Sequence, residues 1–170
     1  MSKRNGKMKY LAIGAIGLIA AGGLALDATY QIQEQEQAVL TTFGVPKAVN
    51  ETGLHFKVPF VQQVQKVNTT IQGFPIGYSM GNNEVVENEG IMITSDYNFI
   101  DVDFFVEYRI SEPVKYLYTS EQPEEILKNI AQSCIRTVIA SYNVDEVLTT
   151  GKGEIQSKIK EMILNQMEEQ

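Results

Sequence analysis

The sequence predicts an α+β protein with one N-terminal transmembrane helix, an antiparallel sheet with packed helices, and the start of a long C-terminal amphipathic helix. Three patterns carry this prediction. Residues 10–26 are apolar and uncharged without a break, residues 99–110 alternate with a period of two, and apolar residues recur at helical spacing from Pro123 onward. Strand-forming segments followed by a run of helical segments are typical of the α+β class.

The first pattern predicts a membrane anchor. Residues 10–26 read YLAIGAIGLIAAGGLAL, and a helix of about 17 residues rises about 25 Å, at the short end of what crosses a bilayer core. Four basic residues precede the run: Lys3, Arg4, Lys7 and Lys9. Positive charge beside a membrane helix stays on the cytoplasmic side. We therefore expect a single-pass protein of the cell membrane, with residues 1–9 in the cytoplasm and the chain from Asp27 onward outside it.

Two other interpretations of residues 10–26 compete with the anchor. A cleaved secretory signal also has a basic start and an apolar middle. This run, however, is longer than a usual signal core and ends in LALD (residues 24–27) rather than in a small-x-small site. A buried helix of a soluble domain would have a polar face, and this stretch is apolar on every face. The uncleaved anchor is the favoured interpretation.

Charge and composition exclude several partner classes. The net charge is -7, and four of the 14 basic residues precede the anchor, so the rest of the chain carries 10 basic and 21 acidic residues. A nucleic-acid partner is not expected, because phosphate binding needs clustered Lys and Arg. The same balance argues against broad electrostatic attachment to anionic lipid outside the cytoplasm.

No catalytic, cofactor-binding or metal-binding residues are predicted. Cys134 is the only cysteine and His55 the only histidine, so the chain has no internal disulfide and no convergent set of zinc ligands. His55 lies in a Gly-Leu-His-Phe segment, where a structural role is favoured over that of a catalytic base.

The first half of the chain after the anchor reads as short strands and turns. Residues 38–43 are rich in strand-forming types and run into a turn signal at Gly44, Val45 and Pro46. Pro59 bars the extended segment 53–60 from a central ladder position. Further strands are expected at 61–67, 69–76 and 91–94, with an acidic loop at 81–90 and a turn at 95–98.

Residues 99–110 predict one long strand with a single buried face. The expected inward set is Ile100, Val102, Phe104, Val106, Tyr108 and Ile110. The opposite face carries Asp101, Asp103 and Glu107. These carboxylates are open to interpretation as a metal or acid site, but a solvated strand face explains them without chemistry.

The second half predicts helices. Pro113 and Pro123 each begin one, and the second has an apolar stripe: Ile126, Leu127, Ile130, Ala131, Cys134, Ile135, Val138 and Ile139. Cys134 lies inside that stripe and is expected to be a buried apolar filler. Asn143 and Glu146 have capping-box spacing for a third helix, which Gly151 ends. From residue 154 a last amphipathic helix carries Ile155, Ile159, Met162, Ile163 and Met167. This stripe needs a partner, either the sheet or a helix of another chain.

An apolar cluster is the candidate site. It consists of Phe56, Val58, Pro59, Phe60 and Val61, in a segment flanked by turns about 30 residues beyond the anchor. One interpretation is a second membrane contact, in which an apolar tip enters the interface and Lys57 reaches toward lipid head groups. The other, slightly preferred, is that these side chains fill a small core.

Five pieces in order carry a family resemblance. They are EQAV (36–39) leading to Phe43-Gly44, GLHFKVPF (53–60), ITSD (93–96), residues 102–110 with Glu112-Pro113, and residues 133–138 around Arg136. Together they resemble the SPFH (band 7, prohibitin homology) superfamily of stomatins, prohibitins, flotillins and the bacterial HflK and HflC proteins. The resemblance covers about residue 32 to the end of the chain.

Within the superfamily the chain resembles the HflK-type branch. Residues 108–110, Glu112-Pro113 with residues 115–118, and DEVLT (145–149) look like that branch. Two departures are present. Lys152 stands where the family has Arg, and the family continues into a long coiled-coil helix at whose beginning this sequence stops.

The resemblance implies a scaffold rather than an enzyme, without cofactors. The expected partners are membrane lipid, further copies of the chain or an HflC-like paralogue in a ring or cage, and an FtsH-like AAA+ protease. The implied organisation is residues 1–9 as a cytoplasmic segment, 10–26 as the anchor, 27–153 as the SPFH domain and 154–170 as the start of the coiled-coil helix. The alternatives are a monomeric anchored binding domain, or a hydrolase with Cys134 or a serine as nucleophile.

Overall fold

The computed structural model describes residues 28–81 and 84–168. The expected cytoplasmic segment 1–9 and anchor 10–26 lie outside these residues. Within the described part of the chain, none of the helices combines the length and apolar character that a membrane span requires. The chain divides into two units, Met1–Thr70 with Ile110–Leu117 and Ile71–Arg109 with Tyr118–Gln170.

The described part of the first unit contains two small antiparallel sheets. Strand β1 (Thr29–Ile32) pairs with β4 (Gly53–Phe56), and the order of the other sheet is β3-β2-β5, built from β3 (Val45–Val49), β2 (Glu36–Thr42) and β5 (Gln62–Asn68). Their buried side chains are Ile32, Ala38, Val39 and Val67. Strand β4 stops three residues before Pro59, as expected for a residue that cannot donate to a ladder.

The observed turn begins one residue earlier than the turn that was predicted at residues 44–46. The hairpin turn is Phe43-Gly44, both with positive φ, and Val45 and Pro46 already belong to β3, where Pro46 pairs with Thr41. Pro46 is tolerated there because β3 is an edge strand.

The second unit also begins with strands. Strand β6 (Gln72–Ile76) pairs with β9 (Phe104–Tyr108), and β7 (Ile91–Ile93) pairs with β8 (Phe99–Asp101). The segment predicted as a loop at 81–90 ends in a short helix, α1 (Glu87–Gly90). Sequence reasoning missed it because one turn is too short to show a helical period.

The prediction of one continuous strand over residues 99–110 was wrong. The ladder breaks at Val102 and Asp103, where the Val102 amide donates to Gly90 O at 3.1 Å instead of to a strand partner. The alternation nevertheless continues across the break. Asp101, Asp103 and Glu107 are exposed, as predicted, whereas the inward Val102, Phe104 and Val106 are only half-buried.

Helices form the rest of the second unit. Helix α2 (Pro113–Tyr118) belongs to the first unit except for its last residue, and the further helices of the second unit are α3 (Pro123–Ile139), α4 (Val144–Leu148) and α5 (Lys152–Glu168). Each predicted proline start is confirmed. So is the capping box, in which the Asn143 side chain accepts from the Glu146 amide and the Glu146 carboxylate accepts from the Asn143 amide.

The core of the second unit lies on the predicted stripe of α3. Ala131, Ile135, Val138 and Ile139 pack with Ile76 and Met92 of the strands. Ile155 and Ile159 of α5 join the same cluster, so the partner of this part of the last helix is α3 of the same chain. Within the described chain, the sheet is therefore not its main partner. Toward the end of α5, Leu164 and Met167 are exposed.

Candidate functional site

The candidate cluster forms the end of β4 and the loop that leads into β5. Phe56 is the last residue of β4, and Val58, Pro59, Phe60 and Val61 precede β5. This loop is held by its own main chain, because the Val61 and Gln62 amides both donate to Val58 O, at 3.3 and 3.0 Å.

Side chains along this segment point alternately outward and inward. Phe56, Val58 and Phe60 are 75%, 55% and 93% exposed, whereas Pro59 and Val61 are half-buried. The interpretation of the cluster as a small core is therefore wrong for the three exposed residues. Leu54 on β4 is also exposed. Leu54 lies on the same outward face, because side chains two residues apart in a strand point to the same side. Its spacing of two from Phe56 would have identified it as part of the cluster.

The backbone holds Phe60 in an uncommon conformation. Its φ is +67°, a left-handed geometry that a side chain with a Cβ avoids at a cost of about 1–2 kcal/mol. The ring gains no burial in return within the described chain, since it is the most exposed of the large apolar side chains.

The start of the described chain lies directly beside this cluster. The Lys57 amide donates to Ala28 O at 2.8 Å, and β1 pairs with β4 so that Thr29 faces Phe56. Ala28 is two residues beyond the apolar stretch 10–26. Ala28, the first described residue after the expected anchor, and the exposed apolar cluster therefore lie at the same end of the first unit.

His55 has a structural environment in the same strand. Its ring stacks on Tyr30 with centroids 5.4 Å apart, and Nε2 donates to Glu51 O at 2.7 Å, which fixes the proton on Nε2 because a carbonyl only accepts. Burial raises the pKa of the Tyr30 phenol. The pair joins β1 to β4 and so fixes the strand that carries Phe56.

The described residues contain no group of three or more His, Cys, Asp and Glu side chains suited to hold a metal ion. Cys134 is buried, as predicted, and burial raises the pKa of its thiol, which disfavours the thiolate that a nucleophile needs. A glutamate on α1 serves to join helices, because Lys128 Nζ of α3 donates to Glu89 Oε1 at 2.6 Å.

Comparison with known proteins identifies the family. The SPFH domain / Band 7 family matches the chain over residues 30–170. The chain is 35% identical over 156 residues to "Modulator of FtsH protease HflK" of Escherichia coli strain K12, covering 89% of this chain and 33% of that protein. It is 33% identical over 135 residues to "Protein HflK" of Buchnera aphidicola subsp. Schizaphis graminum, covering 79% and 30%. It is 28% identical over 160 residues to "Protein HflK" of Treponema pallidum, covering 88% and 48%.

The match to the SPFH model extends over both units of the structure, from β1 to the last helix. The chain spans about a third of the length of the Escherichia coli and Buchnera relatives. The family match covers far more than half of this sequence, and the chain belongs to the SPFH domain / Band 7 family.

Proposed function

We propose that this chain is a membrane-anchored scaffold subunit that oligomerises into a ring or cage and regulates an FtsH-like AAA+ protease or organises a membrane microdomain. The observation that carries the proposal is the 35% identity, over most of this chain, to a protein named as a modulator of FtsH protease. As an SPFH domain with relatives of that kind, the chain acts as a regulator and not as an enzyme.

Two features support an assembly of several copies. SPFH membership suggests further copies or an HflC-like paralogue as neighbours. In addition, the last turns of α5 leave Leu164 and Met167 exposed, which suits the start of a helix that pairs with another helix. The proposed division is therefore an SPFH domain over 27–153 and the beginning of a coiled-coil helix over 154–170.

The assembly can be tested on the 170-residue chain in mild detergent. We expect a large oligomer by light scattering, copurification with an FtsH-like protease when the two are expressed together, and no peptidase activity in the absence of that protease. A monomer of 19.0 kDa would favour an anchored binding domain, and intrinsic peptidase activity would favour a hydrolase.

We also propose that the exposed cluster Phe56, Val58 and Phe60, with Pro59 and Val61 beneath it, rests in the membrane interface. Two phenylalanines and a valine held in water on one outward face are unfavourable in a free domain. Their burial in lipid would recover about 25 cal/mol per Å² of apolar surface. Lys57, inside this segment, has a side chain long enough to reach lipid head groups.

The contact should survive removal of the anchor. A variant that lacks residues 1–26 is expected to float with liposomes, and Phe60→Asp in that variant should abolish flotation, because an ionised carboxylate cannot leave water cheaply. Thermal unfolding of Phe60→Asp should be close to that of the parent, since the ring is 93% exposed.

Asn50→Asp is the matched control. It adds the same charge at an exposed site of the same unit, beyond the far end of β3, and flotation should be retained. If the truncated parent never binds liposomes, the anchor alone holds the protein to the membrane.

In the intact protein, protease added to spheroplasts should digest the chain beyond residue 27, and protection of it would contradict the proposed orientation.

A further inference from the structure

Strands β6 and β7 lie on the same side of the extended run 99–108. Strand β6 pairs with β9, and β7 pairs with β8. Gly77 follows β6 directly and Gly90 precedes β7 directly, and a Cβ built on Gly77 would lie 3.3 Å from the Gly90 Cα. The two strands therefore follow one another end to end along one edge of the run, and the segment between them loops out.

Alternate residues of the run make the hydrogen bonds to this edge. The Val102 amide donates to Gly90 O at 3.1 Å. In the β6–β9 ladder Pro75 faces Phe105, and because Pro75 has no amide hydrogen, the bonded pairs are the ones on either side of it. The even-numbered residues therefore direct their main chain toward β6 and β7.

The odd-numbered residues direct their N–H and C=O groups toward the opposite edge, because these groups alternate along a strand. Among residues 28–81 and 84–168, no strand pairs with that edge, and no main-chain hydrogen bond outside the ladders involves an odd-numbered residue from 99 to 107. An extended run of this length presents an open edge about 30 Å long. Proteins rarely leave such an edge uncovered. Its five residues are Phe99, Asp101, Asp103, Phe105 and Glu107.

The inward face of the same run is incompletely covered. Phe104 and Val106 pack against the core cluster of the second unit, yet both remain half-buried, as does Val102. A strand added at the open edge places its own inward side chains beside these three residues. Apolar side chains at alternate positions of the added strand would therefore complete the cover.

The outward side chains indicate which kind of strand fits. Asp101, Asp103 and Glu107 are exposed carboxylates on this edge. If a second copy of the chain paired antiparallel through the same edge, Asp103 would face Asp103, or Asp101 after a shift of two residues. Like charges directly opposite one another are destabilising, whereas opposite charges attract. The edge therefore disfavours another copy and favours a segment with lysine or arginine at these positions.

We propose that the open edge of the run 99–108 binds an extended segment of another polypeptide by strand addition, and that this segment alternates apolar residues with lysine or arginine. The main-chain groups of the five odd-numbered residues supply the affinity. The carboxylates and the half-buried inward side chains select the sequence. This binding activity is separate from the membrane contact and the assembly proposed above.

Amide hydrogen exchange in the 170-residue chain, held in lipid nanodiscs, tests the edge residue by residue. The probes are a blocked peptide of alternating valine and lysine and a matched peptide of alternating valine and glutamate. We expect the valine–lysine peptide to slow exchange at the five odd-numbered amides from 99 to 107 and to leave their even-numbered neighbours unchanged, because those are already bonded. The valine–glutamate peptide should have no effect.

Two results of this experiment would overturn the proposal. One is unchanged exchange at the odd-numbered amides in the presence of the valine–lysine peptide. The other is slow exchange at these amides before any peptide is added, which would show that the edge is already covered by another copy or by another part of the chain.

Phe105→Pro removes one donor from the open edge, and Phe105→Ala is its matched control. Both substitutions remove the ring that lies over Gly73, but alanine keeps the N–H group. We expect the proline variant to bind the valine–lysine peptide about tenfold more weakly than the alanine variant, through the lost hydrogen bond and the displaced strand. Equal binding by the two variants would show that the peptide adheres by charge alone and would overturn strand addition.

Glu107→Lys keeps the test decisive if the proline variant fails to fold, since it changes only an exposed side chain. It should weaken binding of the valine–lysine peptide and strengthen binding of the valine–glutamate peptide, each by about fivefold. An unchanged preference between the two peptides would overturn the proposed basic partner.

Discussion

Replacing Ile135 with Ala should lower the free energy of unfolding of the second unit by about 2–5 kcal/mol. Ile135 is fully buried in the C-terminal half of α3 and packs in the cluster that joins the helices to β6 and β7. Alanine is the best helix former, so the substitution does not weaken the helix itself. The whole loss comes from the removed apolar contacts and the cavity left behind, and it is measured by urea unfolding at neutral pH.

Ser133→Ala is the matched control for this prediction. Ser133 lies on the exposed face of the same helix, two residues earlier, and its change should stay within about 0.5 kcal/mol. Equal effects of the two substitutions would show that the buried face of α3 has been assigned incorrectly.

The helical half of the chain was predictable because its signals are long and redundant. The stripe of α3 repeats over about four turns, and six of its eight members are buried in the structure: Ile130, Ala131, Cys134, Ile135, Val138 and Ile139. The Asn143–Glu146 capping box adds an independent local signal for α4. A pattern that repeats this often determines both the helix and its buried face. The stripe of α5, in contrast, did not indicate which element packs against it. An apolar stripe requires cover but does not identify what covers it.

The strands show where sequence periodicity reaches its limit. Alternation over residues 99–110 correctly separated the exposed carboxylates from the inward side chains, yet it could not show that Phe99–Asp101 and Phe104–Tyr108 pair with different partners. A period of two survives a break as long as the chain stays extended. The break depends on the Val102–Gly90 hydrogen bond, a contact between segments that no local pattern contains.

The orientation of the candidate site was likewise not predictable from the sequence pattern. The residues of the cluster were identified as apolar and flanked by turns, but composition does not distinguish an apolar segment that faces inward from one that faces outward. Phe56 shares the outward face of β4 with Leu54 in the ladder with β1, whereas Val58 and Phe60 lie in the loop beyond that ladder. The strand boundary at Phe43 was also missed, because this residue follows a run of strand-forming residues but is the first residue of a turn with positive φ in the structure.

Replacing Gly77 with Ala is expected to destabilise the second unit by about 2–4 kcal/mol. Gly77 follows β6 with φ of +95°, and a Cβ added there would lie 2.7 Å from Asp103 Oδ1 and 3.0 Å from Val102 O. Asp103 is a surface side chain that can move aside, but the Val102 carbonyl belongs to the backbone at the break between β8 and β9. The cost therefore combines the left-handed backbone with a displacement of the main chain.

Gly44→Ala separates these two causes. Gly44 also has positive φ, +85°, but a Cβ added there meets nothing within 4 Å. It should cost only the conformational part, about 1 kcal/mol. Urea unfolding of the two variants in parallel measures the difference. If Gly77→Ala were no more destabilising than Gly44→Ala, the close approach of Gly77 to Val102 would not constrain the fold.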